Sequence, residues 1–514
     1  MTVCDPACGS GAYLVGMMQE IVDLLQCLTA GVAGSAESAY RRKLRIIQNN
    51  LYGVDIDPVA VNLARLRLWL ALAVEFQGEV PPPLPNLDFK IELGDSLTGP
   101  APADAVCQDI FRHHDLKQLR ELKARFLRPR SGSEREDLLR QIEELEQSIA
   151  DWIHPGEETD GFDWQVRFAE VFLRPVEQEI ADPEDLPGFD IVLTNPPYVR
   201  HGLIPARVKR LLQRRFPHVH DGAADLYVYF YARAIELLKP GGVLAFISSN
   251  KWFRAGYGRK LRSFVARECA IQSITDFGEL PVFESAATFP MVFIALRQRC
   301  AGQTPLFTQI RSLEPPYPDV LELVRRDGRR LPPQAIQEDC WTMTDLETIQ
   351  MLRQMEIGTL PLGEYVNGQF YYGIKTGFNT AFFIDGTKRA ELIAQDPASA
   401  EIIRPLAVGD DIRKWRIRDR DRWLILTRIG VDIARYPAVF AHLGGWQRQL
   451  EKRYDRGDYW WELRACSYYE RLTGRRSCIL SLRWSPASPT TATAASPTTK
   501  PSSSLWMICF CSGS

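Results

Sequence analysis

Asp5-Pro6-Ala7-Cys8-Gly9-Ser10-Gly11 reads as a strand end running into a glycine-rich loop, and an apolar pattern of helical spacing follows it: Leu14, Met17, Met18, Ile21, Val22 and Leu25, within a helix from Ala12 to about Gln26. That is the opening of a βαβ unit. The next strand is Asn50-Leu-Tyr-Gly-Val-Asp55. Pro58 then opens a helix through Trp69 to Ala73, at a position where proline's missing donor costs nothing. Phe89-Lys-Ile-Glu-Leu93 reads as a third strand, ending at Gly94-Asp95-Ser96-Leu97, and Phe189-Asp-Ile-Val-Leu-Thr194 as another, ending at Asn195-Pro196-Pro197-Tyr198. Asp225-Leu-Tyr-Val-Tyr-Phe-Tyr231 begins a helix, and Gly241 to Ile247, Ile271 to Phe277 and Met291 to Leu296 complete the sheet. Strands alternating with helices predict an α/β fold: a doubly wound, Rossmann-like, mostly parallel sheet over residues 1–300.

Leu116, Leu119, Leu122 and Phe126 form one apolar stripe, and Leu138, Ile142, Leu145, Ile149 and Trp152 another, separated by Arg130-Ser-Gly-Ser133. They predict a helical hairpin inserted at about 101–160 that braces the sheet. A Pro-rich connector is expected at 301–345, with a helix near Thr344 to Gln354. A mixed α/β domain at 346–476 follows, opened by Tyr371-Tyr-Gly-Ile-Lys-Thr-Gly-Phe-Asn379 and closed by Tyr459-Trp-Trp-Glu-Leu-Arg464. From 477 to 514 the chain becomes Ser, Thr, Ala and Pro, then ends in Leu505-Trp-Met-Ile-Cys-Phe-Cys511. Such a composition builds no packed core, and an apolar, cysteine-bearing end is the mark of a shifted reading frame.

In a doubly wound sheet, ligands sit at the carboxyl ends of the strands, where the polar motifs fall. An amino group conjugated to a ring or carbonyl is a poor nucleophile, because its lone pair is delocalised, so an enzyme acting on it must position it and stabilise charge during attack. The Asn195 side-chain oxygen can accept one amino hydrogen and the Pro196 carbonyl the other. Pro196 and Pro197 restrict the chain so that both acceptors stay aimed, and Tyr198 offers a ring for a planar substrate. Alone, the tetrapeptide also fits a turn that merely ends a strand. The glycine-rich loop upstream favours the site, since Gly9 and Gly11 let the chain pass close to a bulky cofactor and Asp55, at the next strand's end, can take ribose hydroxyls.

At 514 residues, 45% hydrophobic and 25% charged, the chain can bury a large core divided among two or three domains. No apolar run approaches membrane-spanning length and no secretory leader is evident, so a cytoplasmic location is expected, without a membrane partner. The 11 cysteines are scattered and lack paired zinc spacing; Cys4 and Cys8 read as packing residues. The net charge of −2 conceals two basic segments. Residues 200–267 carry 14 Lys and Arg against 3 Asp and Glu, and residues 404–476 carry 17 against 10. Solvated helix faces explain one such segment; two are the footprint of phosphate binding.

Asp5-Pro-Ala-Cys-Gly-Ser-Gly11, Gly53-Val-Asp-Ile-Asp-Pro58, Gly94-Asp95 and Asn195-Pro-Pro-Tyr198, in this order, resemble the gamma-class N6-adenine DNA methyltransferases. Gly373-Ile-Lys-Thr-Gly-Phe-Asn-Thr-Ala-Phe-Phe-Ile-Asp385 and Gly457-Asp-Tyr-Trp-Trp-Glu-Leu-Arg464 resemble the target-recognition region of type IIG restriction-modification and phage-defence methyltransferases. The resemblance covers residues 3 to about 476. It implies an S-adenosylmethionine-dependent methyltransferase domain followed by a DNA target-recognition domain, acting on double-stranded DNA by base flipping. The cofactor would contact Asp5, Ala7, Gly9, Gly11, Asp55, Ile56, Asp95 and Ser96, with Asp5 near its methionine end, Asp55 on the ribose and Asp95 near the adenine amino group. Asn195, Pro196, Pro197 and Tyr198 would form the catalytic motif, with the target adenine stacked on Tyr198 and covered by Phe283. Arg200, Lys209, Arg210, Lys375, Arg413 and Lys414 would contact DNA. No metal is required, because methyl transfer from a sulfonium is a direct displacement.

Members of this family normally carry a cofactor-binding segment before the first motif, so the resemblance implies N-terminal truncation. Glu121-Leu-Lys123, the one attractive Glu-x-Lys, reads as a surface helix pair rather than a nuclease signature. His201, His218 and His220 read as exposed or phosphate-contacting. Two other functions compete: a DNA-binding remnant that transfers nothing, and a protein glutamine N5-methyltransferase, whose amide substrate has the same delocalised geometry but needs no basic, aromatic second domain.

Overall fold

The computed structural model describes residues 1–29, 38–76, 86–102, 110–126, 132–153, 161–172, 186–283, 289–315, 317–337, 340–365, 367, 370–372, 374–408, 411–413, 416–454, 456–467, 469, 477–480 and 507–510. The chain divides into two compact units, 1–353 and 354–514.

The first unit is a mixed α/β domain built on a nine-stranded sheet of order β3-β2-β1-β4-β5-β7-β6-β8-β9. β1 (Val3–Asp5), β2 (Leu51–Asp55), β3 (Ile91–Leu93), β4 (Phe189–Thr194) and β5 (Leu238–Ser249) pair in parallel. β7 (Pro290–Leu296) runs antiparallel between β5 and β6 (Ala270–Asp276), β8 (Leu306–Gln309) pairs parallel with β6, and β9 (Arg329–Arg330) closes the edge. From β1 the chain builds β2 and β3 to one side; β4 and β5 lie on the other. The strand order therefore reverses between β1 and β4, and a crevice opens at their carboxyl ends. The register Cys4↔Val192 brings Asp5 and Asn195 to that crevice.

Alternation along the strands feeds two cores, so neighbours Val3 and Cys4 point to opposite faces. Against one face pack α1 (Ala12–Thr29), α2 (Ala39–Asn50) and α3 (Pro58–Ala73), through Leu14, Met18, Ile47, Leu68 and Leu72. Each such buried aliphatic stabilises by about 1.5–3 kcal/mol. Asp57 caps α3 by accepting from Val59 N at 2.9 Å, and Pro58 occupies its first turn. The opposite core is aromatic, with Trp164, Phe168, Phe189, Tyr231, Phe246, Trp252 and Trp341 all fully buried.

α4 (Ile110–Phe126) and α5 (Gly132–Ile153) pack through Leu119, Leu122, Phe126, Leu138, Ile142 and Ile149, and share that cluster with Phe89 beside β3. Two short helices, α6 (Trp164–Arg167) and α7 (Ala169–Phe172), follow. Charges join these helices to the sheet. Arg167 contacts Glu92 of β3 and, at 2.9 Å, Glu146 of α5, and Lys123 of α4 meets Glu146 at 2.8 Å. Lys123 is thus buried among partners, correcting the reading of Glu121-Leu-Lys123 as wholly a surface pair; only Glu121 faces solvent. The stretch 301–345, anticipated as a connector, supplies β8, α11 (Val320–Asp327), β9 and Trp341 to the first unit. Its strands find their partners far away in sequence, which local pattern does not register. α8 (Ala206–Arg215), α9 (Tyr227–Leu237), α10 (Arg259–Glu268) and α12 (Leu346–Glu356) complete the helices of the described first unit.

The second unit carries a small antiparallel sheet with Arg422–Ile425 between Phe383–Asp385 and Ile403–Pro405. Helices Gly386–Gln395 and Pro437–Gly444 contribute Leu392, Val439 and Leu443 to its core. Phe370–Tyr372 pairs with Met507–Phe510, which pairs with Ser477–Leu480. The remainder of the 477–514 tail, with the frame-shift reading attached to it, lies outside the described residues.

Candidate active site

β1 ends in Asp5, whose carboxylate has no exposed surface. One oxygen accepts from Ala7 N at 3.1 Å; the other, Oδ2, has no hydrogen-bond partner. Burial pushes this carboxyl up to about 7, against the lowering influence of the Thr194 hydroxyl and the Ala7 N–H, and no cation stands among the groups that tune it. The loop beyond turns through Gly9 at φ 52° and Gly11 at φ 78°. A Cβ on Gly11 would lie 2.9 Å from the Ala64 Cβ of α3, whereas one on Gly9 would meet nothing within 4 Å. Gly11 therefore serves helix packing, and Gly9 presents bare backbone to open space.

Asp55 ends β2 and fastens this loop, its Oδ2 accepting from Gly9 N at 2.8 Å and its Oδ1 from Asp57 N at 2.9 Å. The next residue, Ile56, is 70% exposed at the same sheet edge, as is Leu93 at 53%. Asp95 accepts from Leu97 N at 2.9 Å, and the buried Ser96 donates to Pro6 O at 2.6 Å, tying the end of β3 to the β1 loop. The structure so brings Asp5, Ala7, Gly9, Asp55, Ile56, Asp95 and Ser96 to adjacent strand ends, with Gly11 one turn behind.

β4 delivers the tetrapeptide next to Asp5. Asn195 is half-buried and its Oδ1 has no partner; Pro196 is buried, Pro197 exposed, and Tyr198 half-buried with its hydroxyl also unpartnered. Burial, with Tyr13 nearby, pushes the Tyr198 phenol well above its ordinary range. Its ring faces Phe283 at 5.9 Å between centroids and 56° between planes. The two rings touch each other at a tilt, and a planar guest between them requires them to part.

Two neighbours escaped the sequence reading. Tyr13, in the first turn of α1, is raised by burial and by Asp5 and influences Tyr198 in turn; its position just past the glycine loop was the available signal. Asp225 accepts from His201 N at 2.9 Å while Leu226 N donates to Val199 O at 3.0 Å, which staples the chain leaving the tetrapeptide onto the start of α9.

Of the proposed DNA contacts, Arg200 and Arg210 are exposed and Lys209 half-exposed, on the loop and helix α8 that follow the tetrapeptide. His201 and His218 are also exposed, while His220 Nδ1 lies 2.8 Å from the Tyr229 hydroxyl. In the second unit Lys375 is half-exposed. Arg413 lies on a two-residue strand, with its side chain outside the described residues, as Lys414 is entirely. The buried Arg453 joins the two sequence motifs of this unit, donating to Thr376 O at 2.5 Å, Trp460 O at 2.6 Å and Glu462 O at 3.0 Å. Tyr459, 57% exposed, stacks on Trp461 at 4.6 Å with planes 4° apart. Among the described residues, no cluster of His, Cys, Asp or Glu is arranged to hold a metal, and no helix is long and apolar enough to cross a membrane.

Residues 49–283 match the family model of the Eco57I restriction-modification methylase, and residues 1–81 that of the MmeI DNA-methyltransferase domain. The type II methyltransferase M.XhoI of Xanthomonas vasicola is 38% identical over 22% of this chain and 20% of its own. The type II methyltransferase M.PaeR7I of Pseudomonas aeruginosa is 29% identical over 52% of this chain and 46% of its own. The adenine-specific methyltransferase PglX of Streptomyces coelicolor is 22% identical over 82% of this chain and 32% of its own. The chain thus spans less than half the length of these relatives. The two matches overlap at residues 49–81 and together span the glycine loop and the tetrapeptide, so residues 1–283 are similar to restriction-modification methyltransferases of the Eco57I and MmeI type.

Proposed function

We propose that the protein is a site-specific DNA methyltransferase that places a methyl group from S-adenosylmethionine on the N6 amino group of adenine in double-stranded DNA, within a restriction-modification or phage-defence system. The observation that carries this reading is the pair of unpartnered buried acceptors, Asp5 Oδ2 and Asn195 Oδ1, at adjoining strand ends. A buried carboxylate without a cation costs free energy that a cationic ligand end relieves. The residues therefore fit S-adenosylmethionine, whose sulfonium supplies, when bound, an electrophilic methyl group.

Each protein group then has a task. Asp5 holds the cationic end, Gly9 and Ala7 offer backbone at close range, Asp55 binds the ribose, and Ile56, Asp95 and Ser96 border the adenine ring. Asn195 Oδ1 and the Pro196 carbonyl accept the two hydrogens of the flipped base, drawing electron density onto the nitrogen as it attacks. Tyr198 and Phe283 hold the base between their faces. The second unit is the target-recognition domain, with Lys375, Arg413 and Lys414 on the duplex, and α4 with α5 is a helical hairpin bracing the catalytic sheet. Arg200, Lys209 and Arg210 neutralise phosphates beside the flipped nucleotide.

The test incubates the purified protein with radiolabelled S-adenosylmethionine and unmethylated bacterial DNA, then identifies the labelled nucleoside. Label in N6-methyladenine supports the reading. Label in protein glutamine, or DNA bound with no transfer by a folded preparation, overturns it in favour of the competing functions.

A further inference from the structure

The loop that presents Phe283 leaves β6 after Asp276 and returns at Phe289, before β7. Both of its ends meet one residue. Asn250, directly after β5, donates from its side-chain nitrogen to Asp276 Oδ1 at 2.9 Å, and from its backbone N–H to Phe289 O at 3.0 Å. The same Asp276 oxygen accepts from Gly278 N at 2.9 Å, fixing the turn that starts the loop, where Gly278 has φ 56°. Phe277 N donates to Pro290 O at 3.0 Å, pairing the two ends directly. Phe289 is a non-glycine residue at φ 52°, a conformation that costs on its own and persists only where surroundings impose it. The Asn250 hydrogen bond and the Lys251 ammonium, 5.3 Å from the Phe289 ring, impose it here.

The Asn250 N–H to Phe289 O bond continues the β5–β7 register past Ser249↔Pro290, and the Phe277 N–H to Pro290 O bond continues that of β6 and β7 past Asp276↔Met291. The Asn250 side-chain bond to Asp276 belongs to neither ladder. What the side-chain bond fixes is the turn that leads from β6 towards Phe283, whose ring faces Tyr198. We propose that Asn250, through its side chain, and Asp276 are positioning residues that fix the turn leaving β6 and set Phe283 opposite Tyr198, so that the extruded base is held long enough to react. The inference rests on the function proposed above. Neither residue touches the reacting atoms; both act through Phe283.

The test measures methyl transfer to unmethylated phage DNA, cofactor affinity, and the fluorine spectrum of protein carrying 4-fluorophenylalanine in place of Phe283. Asn250→Ala is expected to lower kcat about ten-fold, the scale of one lost aromatic stack on a base, with cofactor affinity unchanged. Adding Phe283→Ala should cost little more, because both changes remove one interaction. Asp276→Asn keeps the accepting oxygen and should retain the wild-type rate, whereas Asp276→Ala should not; that pair makes the same comparison if Asn250→Ala fails to fold. In Asn250→Ala the fluorine resonance should shift or narrow as the ring loses its fixed environment. Multiplicative losses in Asn250→Ala with Phe283→Ala, equal activity of Asp276→Ala and Asp276→Asn, or an unaltered fluorine spectrum overturns the proposal. Wild-type protein that transfers no label fails the methyltransferase reading instead, and the fluorine spectrum still decides the role of Asn250.

Discussion

Replacing Asp5 by Asn should make the free protein more stable at pH 8 and bind S-adenosylmethionine less well. The magnitude follows from burial. The carboxyl rises from 3.8 to about 7 in the fold, and at about 1.36 kcal/mol per pH unit this penalises the ionised folded state by about 4 kcal/mol. The sign is that of a raised acid. Below pH 3.8 both folded and unfolded chains hold the proton and there is no penalty; between 3.8 and about 7 the unfolded chain has released it and the folded chain has not, so stability falls as pH rises; above about 7 the loss is complete. Asp5→Asn cannot ionise, so its advantage over wild type should grow from nothing near pH 4 to about 4 kcal/mol at pH 8. Burial also raises Glu92 to about 7, which makes the comparison with Asp5→Asn necessary to isolate Asp5. A cationic ligand beside Asp5 reverses the penalty by favouring the carboxylate. At pH 6 roughly nine-tenths of free protein holds the Asp5 proton, and binding should release most of it; an α-ammonium of pKa about 7.7–8.0 stays protonated there and contributes little. Calorimetric titration at pH 6 in two buffers of unequal ionisation enthalpy reads that proton directly. Equal heats in both buffers, together with parallel stability profiles for wild type and Asp5→Asn, would refute the placing of the cationic end at Asp5.

Asn195→Ala should reduce methyl transfer by about 10²–10³-fold, the scale of a lost transition-state hydrogen-bonding group, while cofactor titration stays near wild type; full activity would show that the acceptor lies elsewhere. Arg167→Ala should destabilise the first unit by about 3–5 kcal/mol in denaturant unfolding, because it leaves the buried Glu92 and Glu146 carboxylates without their shared cation; an unchanged midpoint would mean that Lys123 suffices. Arg210→Ala should lower the slope of log affinity against log salt by about 0.9 on duplex DNA, whatever its sequence, if that exposed side chain meets a phosphate. A salt slope equal to wild type removes α8 from the DNA-binding surface.

Local signals carried most of the catalytic frame and long-range ones did not. The limits of α3 were readable because Asp57 and Pro58 act within one turn. The ends of β1, β2 and β4 were readable because polar motifs interrupt apolar runs there. α2 was passed over: its apolar residues Leu44, Ile46 and Ile47 are few among arginines and lysines, and its Ser38 cap is a short signal. β8 and β9 were mistaken for connector because a strand's partner across the sheet leaves no trace in its own residues. Lys123 looked like a surface residue because its partners come from α5 and α6, and Asp225 looked unremarkable because it works through a backbone N–H.

Unpartnered buried polar atoms occur in the aromatic core, as at Trp341 Nε1, as well as at the crevice; what marks the crevice is their grouping around a carboxylate without a cation. The same core knows how to satisfy a buried charge: Arg233, with no exposed surface, donates to Leu97 O at 3.0 Å, Gly99 O at 2.6 Å and Pro100 O at 3.1 Å, and meets Glu236 at 3.0 Å. Glu92 leaves one oxygen without a hydrogen bond but meets Arg167, and Glu146 meets Arg167 through one oxygen and Lys123 through the other. At the crevice the pattern changes. Asp5 Oδ2, Asn195 Oδ1 and the Tyr198 hydroxyl lack partners within two adjoining strand ends, and the Thr194 hydroxyl and Ala7 N–H, but no cation, temper Asp5. Each such atom costs about 1–3 kcal/mol when buried alone. Three such groups together at the switch point of the sheet support the proposed site, which would take something charged on one side and hydrogen-bonding on the other, as a sulfonium cofactor and an amino-bearing base are.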